Sequence, residues 1–508
     1  MPSDVFLFSR NLLTLLFPSL LFGRGKGGKT GSIQSEDFVK KIILILIFIG
    51  AVVTAGSFQV GRVIEAELPK ILDRVADLGQ MQISITDYDR QLFRSTVKTT
   101  ISLASVGGTI EQIHLRHNIW HGPFPIGKSS DGEFHYAPMS ALVETMVDHD
   151  NPPSGLIGNL FENCPELYDS IELARFDFAG NGTSTYHIPG FAKTFGSGKN
   201  ELAFEWQGLT GQATIDKSIK KINGETVIPK IRISSETGRV ETEKIHSTYR
   251  IFEDFGGLLL GNITLDTEAI SISSGRSRTE LSDFQFRNSA SLNNENVSYS
   301  IAIGIEKINS TGQIYGPLGL ELDFAGLDAA TILEVQKKLQ TIQSHVASVS
   351  EEKIAAEVFA IYTEALPELI KKSPEIRLNY LNMSSPNGEF WSKGKVVFEN
   401  QPGARINSIN DLLGAILANT DIQISKPLLL NLFSSSIKGQ MHSAREAGQL
   451  GDVDDEKFEK MTAEAATEQI EKLVRQGALV DEGKSYRALF EFKNRKMTLN
   501  GQPFSVTK

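Results

Sequence analysis

One uncharged apolar segment near the N-terminus, Ile42 to Val60, constrains this chain more than any other feature. It reads IILILIFIGAVVTAGSFQV, and a helix of that length crosses about one bilayer at ~1.5 Å per residue. Arg62 alone follows it closely, whereas five basic residues lie in the stretch directly before it, from residue 24 onward: Arg24, Lys26, Lys29, Lys40 and Lys41. The positive-inside rule therefore predicts a single-pass anchor in membrane lipid, with the N-terminus in the cytoplasm and the body of the chain outside.

Two alternatives to this topology stay open from the residues alone. A cleaved signal peptide is one, because Val53-Thr54-Ala55 has the small residues of a cleavage site. A second span is the other, because Val5 to Phe22 is also apolar, although Arg10 and Pro18 interrupt it. We expect an uncleaved anchor that contributes nothing to the core of the body, so that the body folds without Met1 to Val60.

The body of the chain is acidic and long enough to bury a sizeable core. The 508 residues carry a net charge of −10, and an acidic body repels nucleic-acid phosphates, which argues against nucleic-acid binding. Cys164 is the one cysteine, and we expect it to be a buried small apolar side chain; an intermolecular disulfide is the alternative. We predict four segments: a cytoplasmic N-terminal extension (1–37), the anchor (38–61), a β-rich periplasmic region (62–326) and an α+β periplasmic region (327–508).

Period-2 alternation of apolar residues dominates the chain from about Met81 to Phe324 and predicts half-buried strands. Gly, Asn and Ser separate these runs, as turns require, and few helical stretches intervene. An antiparallel sheet follows from this pattern. The predicted fold class is α+β, mostly antiparallel β, with an elongated body after the anchor. Clear examples of the alternation are Val97 to Leu103, Ile263 and Leu265, Phe284 and Phe286, and Ile301 to Ile305.

Helical spacing of apolar residues occurs on both sides of this β-rich part. Gly61 to Leu78 predicts a stalk helix, with Pro69 near its middle as a break. From Asp328 the period changes to three-four, which predicts a helix that packs against the sheet or forms a short coiled-coil seam. A second helix is predicted to begin at Ser350. Nearer the C-terminus we predict a short helix from Asp411 to Ala418, a solvated loop or helix start at Asp452 to Glu459, and a helix from Met461 to Arg475.

One motif match, Gly23 to Thr30 (GRGKGGKT), satisfies the phosphate-loop pattern. Such a loop joins a strand to a helix in a parallel sheet, so that its amides bind phosphate. Here Pro18 lies in the candidate strand, and the apolar span follows within about a dozen residues. We therefore interpret this segment as a solvated, basic cytoplasmic stretch.

Side chains capable of chemistry are few. His114, His117 and His121 lie three and four apart, which suits zinc on a helix, but the alternation predicts a strand on which His114 faces away from the other two. Asp87 and Asp89 point to one side of a strand, as paired acid-base carboxylates do, although exposed loop carboxylates are commoner. These patterns give no catalytic set, and we expect neither a metal nor a cofactor.

Four stretches, taken together and in order, resemble one family of bacterial proteins. They are IEAELPKILDRVADLGQMQISITDYDRQLFRSTVKTTISL after the anchor, HGPFP at His121 to Pro125, LGLELDFAGLDAATI at Leu318 to Ile332, and AATEQIEKLVRQGALVDEGKSYRALFEFKNRKMTLNGQPF near the C-terminus. They resemble the YdgA-like family of inner-membrane-anchored periplasmic proteins of Gram-negative bacteria, from about Phe38 onward. The resemblance implies an inner-membrane anchor, a periplasmic body and self-association as a homo-oligomer, but no activity and no catalytic residues.

The sharpest mark of this resemblance is the motif His121, Gly122, Pro123, Phe124 and Pro125. We interpret it as a rigid turn, in which the prolines fix φ, the glycine permits the bend and Phe124 fills the core. The lining of a binding site is the alternative interpretation.

Two functions follow as hypotheses. The first is a non-enzymatic envelope protein that binds a hydrophobic ligand, a lipid or an envelope protein through a curved sheet. The second is a periplasmic hydrolase that acts on envelope polymers through Asp87 or Asp89. A continuous apolar groove would favour the first, and a polar cleft with converging carboxylates would favour the second.

Overall fold

The computed structural model describes residues 34–79, 81–104, 110–130, 132–198, 201–343, 351–399, 413–446 and 455–504. Strands account for 52% of the structure and helices for 30%, which confirms the predicted mostly antiparallel α+β class. The chain forms two compact units. Unit 1 extends to Phe191 and includes Gly208–Thr226, whereas unit 2 consists mainly of Ala192–Gln207, Val227–Ile342 and the residues from Glu351 onward. The segment boundaries predicted at 61/62 and 326/327 stay predictions.

A single long helix, α1, runs from Gln34 to Gly79. In the part of the chain that the structure describes, its segment Ile43–Ala76 is the one helix that is long and apolar enough to cross a membrane. The helix continues through Pro69, so the predicted break there is wrong. Pro69 is exposed, and water can therefore satisfy the carbonyl group that loses its helical hydrogen bond.

Unit 1 contains an antiparallel sheet in which β1, β2, β3, β6, β7, β8 and β11 pair in that order. A short hairpin, β4–β5, leaves this sheet after β3, and helix α2 (Gly155–Asn163) packs on β3. The strands of the first 215 residues are β1 Gln82–Arg90, β2 Arg94–Ala104, β3 Ile110–His121, β4 Gly127–Lys128, β5 Phe134–His135, β6 Ala141–Val147, β7 Ile171–Phe176, β8 Gly182–Ile188, β9 Phe191–Phe195, β10 Leu202–Trp206 and β11 Leu209–Ile215.

Unit 2 contains long antiparallel strands joined by tight turns. In this unit β13, β14, β15, β16, β18, β19, β20, β21, β23, β24 and β25 pair in that order, and β10 pairs with β12. The strands are β12 Lys221–Ser235, β13 Gly238–Asp254, β14 Leu258–Ser274, β15 Ser277–Asn293, β16 Asn296–Ser310, β17 Gln313–Tyr315, β18 Leu318–Asp328, β19 Glu375–Ser385, β20 Gly388–Phe398, β21 Ile416–Ser425, β22 Val480–Asp481, β23 Ser485–Lys493, β24 Lys496–Leu499 and β25 Gln502–Pro503.

Four helices of 15 or more residues accompany these strands in the described part of the chain: α3 Ala329–Gln343, α4 Glu351–Ile370, α5 Lys426–Glu446 and α6 Asp455–Arg475. The change of period at Asp328 and the helix that starts after Ser350 are confirmed. The described part of the acidic run begins α6, which includes the predicted helix from Met461. The predicted helix from Asp411 to Ala418 is confirmed only in part: residues 413–415 are helical, but β21 begins at Ile416 and pairs with both β20 and β23. Residues 411 and 412 lie outside the described residues.

Two buried clusters fix α3, α5 and α6 on the sheet. Helix α3 packs its Ala329 against Leu258, Leu260 and Val297, all of which are at most 2% exposed. This contact confirms packing on the sheet for the three-four spacing. Helices α5 and α6 form a second cluster around Ile424, which also contains Leu428, Leu429 and Ile470.

Ion pairs organise the first hairpin of unit 2. Glu241 on β13 accepts hydrogen bonds from Arg232 and Lys230 on β12 and from Arg239 on its own strand. The Arg232 guanidinium is the main reason that the pKa of the Glu241 carboxyl falls to about 2. Glu241 therefore stays ionised across the physiological pH range, and its charge is compensated within the sheet.

We predict that Leu258→Ala destabilises unit 2 by about 2–5 kcal/mol, because Leu258 is fully buried under α3 and its truncation leaves a cavity. Chemical unfolding of the detergent-solubilised chain measures this change. The control is Ile272→Ala on the same strand, where the side chain is 45% exposed and the expected cost is below about 1 kcal/mol. Equal losses in both variants would contradict the assignment of this core.

Candidate functional site

The motif His121 to Pro125 forms the turn that leaves β3. The Gly122 amide donates a hydrogen bond to the Ser140 carbonyl at 2.7 Å, and the Gly122–Pro123 peptide bond is cis. His121 and Pro125 are almost fully buried, whereas Phe124 is 43% exposed. The turn is therefore confirmed, but the expectation that Phe124 fills the core is wrong, because His121 and Pro125 occupy the interior positions.

Helix α1 packs directly on this turn through its smallest residues. A Cβ atom on Gly61 would lie 2.6 Å from His121 Cε1, and one on Gly56 would lie 2.9 Å from Pro123 Cδ. Ser57 between them is fully buried and directs its hydroxyl at the His121 carbonyl, 3.5 Å away. The expectation that the apolar span contributes nothing to the body is therefore wrong: glycine at 56 and 61 lets the helix backbone approach the motif closely.

His121 connects this helix contact to the first hairpin of the sheet. Its Nδ1 lies 3.3 Å from the Leu92 carbonyl and its Nε2 lies 2.9 Å from the Ser95 hydroxyl. A carbonyl only accepts, so the neutral ring carries its proton on Nδ1 and receives the Ser95 proton at Nε2. Burial lowers the pKa of His121 and favours this neutral form. His121 therefore fills the space between α1 and the β1–β2 hairpin, and both of its ring nitrogens form hydrogen bonds.

The other two histidines of the trio are held by threonine hydroxyls on neighbouring strands. His117 contacts Thr99 at 2.8 Å and Thr145 at 3.0 Å, and desolvation lowers its pKa to about 4. His114 contacts Thr100 at 2.9 Å on the opposite face of β3, as predicted. Among the described residues no cluster of three or more His, Cys, Asp or Glu side chains is arranged to hold a metal ion.

The carboxylates of the predicted pair, Asp87 and Asp89, both lie exposed on β1, which is an edge strand of unit 1. Asp89 accepts a hydrogen bond from Gln91 at 3.1 Å. The prediction that the two carboxylates lie on the same side of the strand is confirmed, and this side faces solvent.

The remaining candidates from the sequence are Cys164 and two segments near the N-terminus. Cys164 is completely buried after α2, which confirms the small apolar interpretation. The phosphate-loop match at Gly23 to Thr30 and the apolar segment Val5 to Phe22 both lie outside the described residues.

A continuous apolar surface crosses unit 2 at right angles to its strands. Its central row consists of residues paired directly from strand to strand: Leu265, Phe286, Ile303, Leu320 and Leu381 on β14, β15, β16, β18 and β19. All five are half-buried. A parallel row of Ile263, Ile301, Leu322 and Leu378 runs beside it, interrupted by Asn288. Alternation places these side chains on one face of β14, β15, β16 and β18. On β19 the pairing shifts by one residue between Leu378 and Leu381, so that both residues still pair with the apolar rows.

Helices cover this face at its margins. Helix α3 packs near Val297 and Tyr299. On β16 these residues lie four and two positions from Ile301, the member of the second row on that strand. At the other margin α5 and α6 pack near Met383 and Phe390. The two rows between these margins keep partial exposure, and Ile263 is 39% exposed. A strip of apolar side chains therefore lies accessible between two groups of helices.

The opposite face of the same strands is polar. It has a shallow cleft of about 220 Å³ that includes Asp323, Glu375 and Arg377 beside several serines. Lys395 at 2.7 Å and then Arg377 lower the pKa of the Glu375 carboxyl, and Asn379 donates to Asp323 at 2.7 Å. A catalytic acid requires a raised pKa, so the charge compensation in this cleft does not favour hydrolysis.

We predict that His117 makes the stability of unit 1 pH-dependent. Its folded pKa of about 4 lies below the ordinary 6.5, so the unfolded chain takes up a proton first as the pH falls. Full stability is present above pH 6.5, and up to about 3 kcal/mol is lost by pH 4. His117→Gln, whose amide can still contact both threonines, should flatten this part of the profile measured by chemical unfolding. An unchanged slope in the variant would contradict the assignment.

Comparison with known proteins places these features in a family. No curated protein gives a significant match to the chain. The family described as "Bacterial protein of unknown function (DUF945)" matches residues 39–507, which include most of α1, the His121 to Pro125 turn and the strands of both units. The chain therefore belongs to this family of bacterial proteins of unknown function.

Proposed function

We propose that this chain is a non-enzymatic, membrane-anchored envelope protein that binds the acyl chains of a lipid on the apolar strip of unit 2. The observation that carries this proposal is the row from Leu265 to Leu381, which continues without a charge across five paired strands. With ~4.8 Å between strands, the row is about 19 Å long. That exceeds the depth of one leaflet, about half of a ~30 Å hydrocarbon core.

The chemistry of the strip favours an extended apolar ligand over a compact polar one. Branched aliphatic side chains and Phe286 offer dispersion contacts but few directional hydrogen bonds, and this suits a ligand of variable length and no fixed polarity. Burial of one such side chain contributes about 1.5–3 kcal/mol, so a few contacts suffice for stable binding. The margins held by α3 and by α5 with α6 limit the strip to one chain-like track.

The location that we propose is the inner membrane of a Gram-negative bacterium, with the N-terminus cytoplasmic and both units in the periplasm. The lysine pair before Ile42 supports this orientation, and the likeness to the YdgA-like family is consistent with it. The buried contact between Ser57, Gly61 and the His121 turn supports an uncleaved anchor, because cleavage near Ala55 would cut the helix beside it. Self-association stays a prediction of that resemblance.

This topology predicts the behaviour of a reporter fused after Lys508. A reporter that is active only in the periplasm should be active there, and a cytoplasmic reporter at the same point should be silent. Activity of the cytoplasmic reporter alone would overturn the proposed orientation.

Site-specific photo-crosslinking tests the lipid track. With a benzophenone amino acid at Phe286 in full-length protein in native membranes, we expect lipid adducts detectable by mass spectrometry. The matched control is Gln285, its neighbour on β15, whose side chain is exposed on the opposite face. Equal adducts at the two positions, or none at Phe286, would contradict lipid binding on this strip.

A substitution on the next strand gives the energetic test. Ile303→Ser should reduce the adduct at position 286 about tenfold, since removing a buried aliphatic side chain costs ~1.5 kcal/mol and ~1.4 kcal/mol is one decade in affinity. Ala302→Ser on the opposite face of β16 is the control and should leave the adduct unchanged. Equal adduct yields in both variants would place the ligand elsewhere.

A further inference from the structure

Unit 1 has a second apolar surface, separate from the strip on unit 2. Six large side chains lie exposed on three neighbouring loops and strands, with exposed fractions from 42% at Leu92 to 73% at Tyr136. We name this surface the apolar patch; its members are Leu92, Phe93, Phe124, Ile126, Phe134 and Tyr136. The largest continuous apolar patches on soluble proteins usually mark an interaction site.

Backbone contacts bring the members of the apolar patch together beside α1. The His121 amide donates to the Phe93 carbonyl at 2.9 Å, and the His121 ring contacts the Leu92 carbonyl. Phe124 follows Pro123, which packs on the helix. Further along, Gly127 pairs with His135, so Ile126 and Tyr136 flank the same residue pair of the β4–β5 hairpin, and the rings of Phe134 and Tyr136 are 6.5 Å apart.

The helix gives the depth of this surface relative to a membrane. His121 contacts Gly61, at the end of the uncharged run, whereas Pro123 contacts Gly56, inside that run. Five residues of helix correspond to about 7.5 Å. The motif therefore runs, from His121 to Pro123, from the end of the span toward the bilayer centre. Phe124 is the next residue in the chain. Side chains of interfacial segments are buried to about 5–10 Å, the same depth.

Cationic groups border the apolar patch where lipid phosphates would lie. Arg90 stacks over Phe58 of α1, 5.3 Å from the ring centroid, and pairs with Glu65 one to two helical turns beyond the span. Lys128 lies exposed on β4, directly beside the patch. Aromatic rings with flanking basic groups are the composition that favours a membrane–water interface.

We propose that the apolar patch inserts into the non-cytoplasmic surface of the phospholipid membrane that α1 crosses. Unit 1 is then bound to the bilayer by a second contact besides the helix, and its orientation to the membrane plane is fixed by the His121 to Pro125 turn. This inference rests on the proposed anchoring but not on lipid binding by unit 2.

Spin labels in the full-length protein test the depth directly. With Cys164 replaced by alanine, single cysteines at Ile126 and Tyr136 carry the label after reconstitution into vesicles of phosphatidylethanolamine and phosphatidylglycerol. Collision with oxygen rises and collision with a water-soluble nickel chelate falls as a label enters the bilayer. We expect both positions to be accessible to oxygen and protected from nickel.

Two reference positions make the result decisive. Ile47 on α1 reports whether the helix itself is in the bilayer, and Leu156 on α2 is the exposed apolar control in unit 1, 69% exposed and outside the patch. The proposal is supported if 126 and 136 resemble 47 and differ from 156. It is overturned if they resemble 156 while 47 is protected. Low accessibility of 126 and 136 to both oxygen and the nickel chelate contradicts it in favour of a protein contact, whereas an unprotected 47 refutes the anchoring itself.

Discussion

The close contact between α1 and the His121 turn is the constraint on which the rest of unit 1 depends. Without a side chain at Gly61 the helix approaches the imidazole ring, and the ring in turn holds the β1–β2 turn through Leu92 and Ser95. The apolar helix and the first three strands are thus one packed structure. The turns of α1 from Gly56 to Gly61, in the middle of the helix, therefore pack against the sheet of unit 1.

Unit 2 depends on a different constraint, the direct pairing of apolar residues across many antiparallel strands. Because a strand alternates its side chains with period two, register decides whether Phe286 meets Ile303 or a polar neighbour. The observed register separates a polar face, with ion pairs such as Arg487 with Asp421, from an apolar face. Among the described residues, α3 packs at one margin of the apolar face and α5 with α6 at the other, and the accessible strip lies between these margins.

The side chains with potential for chemistry are mostly satisfied within the sheet. Glu144, 2% exposed, accepts hydrogen bonds from the Ser130 amide and hydroxyl and from Asn118 at 3.0 Å. His117 is fixed between two threonines. Such groups stabilise a unique core when their donors and acceptors have partners, and this explains how the histidines and Asn118 of β3 fit inside unit 1. Arg116 Nε and Glu111 Oε1 on the same strand are exceptions, because both atoms are buried without a hydrogen-bond partner in the described residues. The sequence spacing of the histidines suggested metal binding only because it carries no information on their partners.

The sequence by itself determined the apolar helix, the antiparallel class and the two helices that follow Asp328 and Ser350, because each rests on a local period of apolar residues. It also indicated the turn at His121 to Pro125 from proline and glycine. Only the tertiary structure decided that this turn packs against Gly56 and Gly61 of α1, that the helix continues through Pro69 and that a strand begins at Ile416. The first and third outcomes depend on contacts between residues distant in the chain, where packing and strand pairing outweigh local preference. The helix continues through Pro69 because this residue is exposed, so that water can satisfy the carbonyl group that loses its helical hydrogen bond.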